Sequence, residues 1–126
     1  MEDKIEVGEY VRTKKGRIDK VERFSVGLCI WHCENGMCID ECNRVGTHLD
    51  DIVKHSKQII DLSEVGDIVN GHRVKAVYLD GATKYIKLHN SYDNGLGIRT
   101  YNEDIQTILT KECYMANCYK VGGEDE

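Results

Sequence analysis

Apolar positions along the chain fall in short runs broken by glycine-containing turns, a pattern of brief β-strands. In the first half, residues 9–13 and 17–24 read as strands joined by a turn at Lys14, Lys15 and Gly16. Residues 28–33 and 37–42 form the next pair, connected through Asn35 and Gly36, and residues 52–54 make a short closing strand. The second half gives strands at 67–69, 73–79, 83–88, near 98–101 and at 105–109, with Asp80 and Gly81 turning the chain after the second. Asn–Gly and Asp–Gly are strong hairpin signals because both central turn positions favour positive φ. Residues 56–60 and 110–117 read as short helices, the second capped by Thr110 with Glu112 in its positively polarised first turn.

The two halves repeat one another. Residues 6–11 read EVGEYV and residues 64–69 read EVGDIV, followed by GRIDKV at 16–21 and HRVKAV at 72–77. Glu6/Glu64, Val7/Val65, Gly8/Gly66, Val11/Val69, Arg17/Arg73 and Val21/Val77 correspond, Ile18 matches Val74, and the first connecting loop is two residues longer. This opening of strand, glycine turn and second strand resembles the start of KOW and SH3-like barrels. The expected fold is mainly β: two tandem SH3-like small barrels or sheets from an internal duplication, each closed by a short helix. The first module spans 1–61 with a cysteine-rich hairpin at 28–43, the second spans 62–122, and 123–126 is an acidic tail. Modules of this size are marginal alone, so the two are expected to pack as one unit.

Charge changes the picture in one place. The 126-residue chain carries a net charge of −5, which argues against a general nucleic-acid binder, because duplex affinity rests on neutralising phosphates. Yet residues 12–23 hold Arg12, Lys14, Lys15, Arg17, Lys20 and Arg23 against only Asp19 and Glu22. On a strand–turn–strand tip, Arg12, Lys14, Lys15 and Arg17 are the candidate anion-binding residues, arginine as a bidentate fork and lysine as a point charge. The second copy has only Asn-Gly-His-Arg at this place, so the basic tip belongs to one copy. No apolar run reaches the roughly 20 residues of a membrane span. The start MEDKIEVGEY has acidic residues where a secretory signal has positive ones, so a cytoplasmic location with reduced thiols is expected.

The segment CIWHCENGMCIDEC at 29–42 is dense in sulfur. With Asn35 and Gly36 as a two-residue turn, Cys33 faces Cys38, Trp31 faces Asp40 and Cys29 faces Cys42, placing all four cysteines on one face with Trp31 and Asp40. Cys29 and Cys33 then lie about 13 Å apart along a strand, too far for one zinc to gather all four. A zinc held by Cys33, Cys38 and His48 is the minority alternative, and cross-strand disulfides Cys33–Cys38 and Cys29–Cys42 are another. The preferred reading is a structural hairpin whose reduced thiols pack as small hydrophobes beneath Trp31. Cys113 and Cys118 flank the last helix and read as core or boundary positions.

No histidine pair has metal-ligand spacing, and YDNGLG at 92–97 fits neither phosphate-loop pattern. Asp50, Asp51 and the acidic tail read as solvated carboxylates. No cofactor and no catalytic set is expected. The framework EVG…DIVKHSKQIIDL, SEVGDIVNG and ILTKECY…CYKV resembles a group of small proteins encoded by phages and prophages of Gram-positive bacteria, over most of the chain except 24–45. That resemblance implies a non-catalytic accessory protein, acting in the cytoplasm of the bacterial host, that blocks or sequesters a host defence component. The component is a protein or an anionic signalling nucleotide. The competing expectations are a KOW/SH3-like nucleic-acid-binding module and a small nucleotide hydrolase. Exposed sheet edges add homo-oligomer formation to the partner classes.

Overall fold

A computed structural model describes residues 5–40, 46–89 and 97–117. Strands β1 (Tyr10–Thr13), β2 (Ile18–Ser25), β3 (Ile30–Cys33), β4 (Cys38–Asp40), β5 (Thr47–His48) and β6 (Ile52–Ser56) build a six-stranded sheet in the order β5-β4-β3-β2-β1-β6. Strands β7 (Ile68–Val69), β8 (His72–Asp80), β9 (Thr83–Leu88), β10 (Ile98–Tyr101) and β11 (Ile108–Leu109) build a five-stranded sheet in the order β10-β9-β8-β7-β11. Neighbours are antiparallel except β4 and β5. The protein is thus mainly β, but neither sheet closes into a barrel among the described residues. One helix, α1 (Lys111–Asn117), follows the second sheet. The helix expected at 56–60 is not formed: β6 runs through Ser56, and a 3₁₀ turn occupies Ile59–Leu62. No helix among the described residues is long and apolar enough to cross a membrane.

Each sheet has its own apolar cluster. Val11, Val21, Trp31, Cys33, Met37 and Ile39 pack in the first, and Val69, Val74, Ile86 and Leu88 in the second. Burying each aliphatic side chain contributes about 1.5–3 kcal/mol. Ile60, from the connection between the sheets, packs in the second cluster, and its N–H donates to Asn102 Oδ1 at 3.0 Å. The link between the halves is therefore part of the core.

Backbone hydrogen bonds align the two halves, with a different register from the one expected. Gly8 N–H donates to Val21 O (2.9 Å) and Val21 N–H to Glu9 O (2.8 Å); Gly66 N–H donates to Val74 O (3.1 Å) and Val74 N–H to Asp67 O (2.8 Å). The acid of each Val–Gly–acid step closes its own turn: Glu9 Oε1 accepts from Glu6 N–H and Asp67 Oδ2 from Glu64 N–H, both at 2.8 Å. A bulge follows in each, after Val21 and after Val74. Val21 thus corresponds to Val74, not to Val77. Ten positions separate Val11 from Val21 and five separate Val69 from Val74, so the β1–β2 connection is five residues longer rather than two. The shorter one is the tight Asn70–Gly71 turn, both residues at positive φ.

The cysteine hairpin also departs from expectation by one residue. Trp31 pairs with Ile39 and His32 with Cys38, and Cys33 N–H donates to Met37 O at 2.9 Å. The turn has three residues, with Gly36 at φ 96 supplying the left-handed position that such a loop needs. Asp19 selects it: its carboxylate accepts from Asn35 N–H (3.1 Å) and from Asn35 Nδ2 (3.2 Å). A one-residue slip reverses every side chain. Trp31, Cys33, Met37 and Ile39 face the core, while His32 and Cys38 share the other face, Cys38 Sγ lying 3.7 Å from His32 Nδ1.

Candidate anion-binding cleft

The extra residues of the β1–β2 connection form a tip that Arg12 anchors from below. Strand β1 has both faces covered: Val11 points into the first apolar cluster, and Arg12 points the other way into the second half of the chain. The Arg12 side chain is 0% exposed. Its Nη1 and Nη2 grip Asp67 bidentately (2.5 and 3.0 Å), Nη2 also donates to Glu112 Oε1 (2.6 Å), and Nη1 to Leu62 O (2.8 Å). Burial disfavours the guanidinium charge, but its bonds to Asp67 and Glu112 outweigh that and raise its pKa. Asp67 also accepts from Lys111 N–H at 2.9 Å. The expectation that Arg12 joins the exposed basic tip is corrected: its two Nη groups are committed to Asp67, Glu112 and Leu62 O, its Nε is buried without a partner, and it joins the two halves.

Glu64 completes this network, 3.6 Å from Arg12 and bonded to Lys111 (2.9 Å) and Lys54 (3.2 Å). Burial acts against its charge, yet the bonds from Lys111 and Lys54 and the Arg12 charge prevail and lower its pKa to about 2. Above Arg12, helix α1 holds the tip. Thr110 caps the helix through Cys113 N–H (3.3 Å) and donates its hydroxyl proton to Gly16 O (2.7 Å). Gly16 is required here: at φ 90, a Cβ would collide with the Thr110 hydroxyl and sit 2.8 Å from Glu112 Cβ.

Lys14, Lys15 and Arg17 remain at the surface and line one cleft of about 350 Å³ with Thr13, Gly46, Thr47 and Asp51. Lys14 N–H donates to Asp51 O (2.8 Å), and Lys14 Nζ lies 4.0 Å from Asp51 Oδ1. Arg17 is steadied by Asn35 O (3.0 Å) and by Asp19 at 3.7 Å. The cleft thus presents three cations and two hydroxyls around one carboxylate, on a backbone fixed at both ends. Its volume is in the range of small-ligand sites.

The alternative zinc set does not converge. Cys33 faces the core, Cys38 the opposite face, and His48 Nδ1 accepts from Asp50 N–H at 3.0 Å. Among the described residues no group of three or more potential ligands could hold a metal ion. The same geometry removes a Cys33–Cys38 bridge. Burial, helped by the Asp19 and Cys38 charges, pushes the Cys33 thiol up to about 12. Cys29 is exposed at φ 56, before β3 begins. Its proposed partner Cys42 lies outside the described residues, as do Cys118, residues 92–96 and the acidic tail. The Asp67–Glu112–Glu64 network had one signal in the sequence, the acid of the Val–Gly–acid step, but nothing local tied it to Arg12. Compared with family models, curated proteins and solved structures, the chain matches none.

Proposed function

We propose that this chain is a non-catalytic binding protein whose cleft at the β1–β2 tip takes a small anionic ligand bearing phosphate. The observation that carries the reading is the convergence of Lys14, Lys15 and Arg17 on one cleft, built from a connection five residues longer than its counterpart in the second half. Lysine ammonium groups act as point charges for phosphate and Arg17 offers a fork. Asp51, Thr13 and Thr47 add acceptors and hydroxyls suited to the sugar or base of a nucleotide. With one carboxylate, set against Lys14, the described lining has binding groups but no acid–base pair. Together with the resemblance to phage and prophage proteins, this favours an accessory protein that counters host defence by sequestering an anionic signalling nucleotide, ahead of one that blocks a defence protein.

The matched turns, bulges and strand orders of the two sheets support descent from one duplicated SH3-like module. The same module type supplies the second reading, a KOW/SH3-like nucleic-acid binder, which predicts affinity for long strands that falls steeply with salt. Native mass spectrometry of the protein incubated with a bacterial nucleotide extract tests the first reading. A nucleotide adduct on the wild type that is lost in Lys14→Ala/Lys15→Ala/Arg17→Ala supports it. An adduct that survives the triple substitution removes the cleft from the account.

A further inference from the structure

The second sheet has an open edge. β7 pairs with β8 only at His72 and Arg73, and the Gly66 and Asp67 backbone carries the contact to Val74. Beyond the bulge, Ala76 to Asp80 pair with β9 on one side, and no strand among the described residues lies on the other. This stretch presents Val77, Tyr78 and Leu79, which are 38%, 44% and 68% exposed. Exposed edges are ordinarily guarded by charge, proline or a bulge. Residues 76–79 contain neither charge nor proline, and the bulge lies before them.

The hairpin fixes which backbone groups face outward. Gly81, at φ 63, and Ala82 make a two-residue turn that closes on Asp80 and Thr83. Such a turn closes on a hydrogen-bonded pair, and the direction of bonding alternates along the strand. Asp80, Tyr78 and Ala76 therefore turn their N–H and C=O groups to β9, while Val77 and Leu79 turn theirs to the open edge.

We infer that this edge pairs with the same edge of a second copy of the chain, antiparallel, with Tyr78 opposite Tyr78 on the two-fold axis. Ladder bonds form only where outward groups meet outward groups, and this register sets Val77 of each copy opposite Leu79 of the other, using every outward group between Ala76 and Asp80. The side chains fit it on both faces. Tyr78 already stacks on Tyr85 with ring centroids 5.2 Å apart, and Tyr85 meets Tyr101 at 5.7 Å, so pairing continues an aromatic row across the axis. On the opposite face, Val77 and Leu79 of one copy cover those of the other. Asp80 meets Ala76 of the second copy, which keeps the two carboxylates apart. The two five-stranded sheets become one continuous sheet.

Sedimentation equilibrium of the full chain over a concentration series tests this, with Leu79→Lys against Val26→Lys, an exposed apolar position in the turn between β2 and β3. The wild type is expected to run at twice the chain mass. Leu79→Lys is expected to weaken association at least ~10-fold by placing charge on the paired edge, and Val26→Lys to leave it unchanged. In Tyr78→Cys, mild oxidation is expected to join two copies at position 78, read by peptide mapping. A monomeric wild type at all concentrations, a dimer indifferent to Leu79→Lys, or cross-links that avoid position 78 would each overturn the pairing.

Discussion

Removing Arg12 should unfold the joint between the two halves. In Arg12→Met the side chain keeps its approximate length and loses its charge. Asp67, 0% exposed, loses both guanidinium contacts, Glu112 loses its 2.6 Å bond, and Leu62 O loses its donor. Asp67 keeps the N–H groups of Glu64 and Lys111, which limits the penalty. Breaking a buried ion pair from one side costs about 3–5 kcal/mol. Against a typical domain stability of about 5–15 kcal/mol, that is a large share. Urea unfolding followed in parallel by Trp31 fluorescence and far-ultraviolet circular dichroism measures it. Trp31 reports the first half, where its Nε1–H donates to Ile5 O at 3.1 Å. The wild type should show one transition by both probes, and Arg12→Met should lower its midpoint by roughly 1.5–2.5 M for a slope of about 2 kcal/mol/M. Lys14→Met, at the surface, should change stability by less than ~0.5 kcal/mol. A loss below ~1 kcal/mol in Arg12→Met would refute the claim that this network joins the halves.

Glu64 makes stability depend on acidity. Its folded pKa of about 2 lies below the ordinary 4.5, so its contribution is complete above 4.5 and is lost as pH falls towards 2. Solvent reaches Glu64, Lys54 and Lys111, so screening holds the contribution to about 1 kcal/mol. Urea midpoints compared between pH 6 and pH 3 should therefore fall less in Glu64→Gln than in the wild type; equal falls would sink the assignment. The hairpin register makes a second claim: Cys33→Ser should cost about 1–3 kcal/mol by burying a hydroxyl, Cys38→Ser little, and the double substitution should be additive. A coupling above ~0.5 kcal/mol would mean the two side chains touch. In the folded protein a thiol reagent should modify Cys29 well before Cys33, as mass spectrometry of the labelled peptides would show.

Most strand positions were legible because they depend on local alternation and on turn residues. The helix cap at Thr110 was legible for the same reason, since Thr110 and Cys113 are neighbours in sequence. The hairpin slip was not. Asn35 and Gly36 suit a two-residue turn as well as the last two positions of a three-residue one, and the choice rests with Asp19, distant in the chain. Arg12 was misplaced because alternation assumes that one strand face meets water. In β1 the second half covers the other face, so Val11, Arg12 and Thr13 are all buried. Of the basic run, Lys14, Lys15 and Arg17 line one cleft, on a connection five residues longer than the one between β7 and β8.

We propose above that the tip cleft binds an anionic, phosphate-bearing ligand through Lys14, Lys15 and Arg17. Backbone amide resonances recorded while a bacterial nucleotide extract is titrated into the protein test it most directly. Shifts are expected to concentrate at residues 13–17, 46, 47 and 51 and to be absent from the Lys14→Ala/Lys15→Ala/Arg17→Ala protein. Shifts confined to other surfaces, or none at saturating extract, would contradict it.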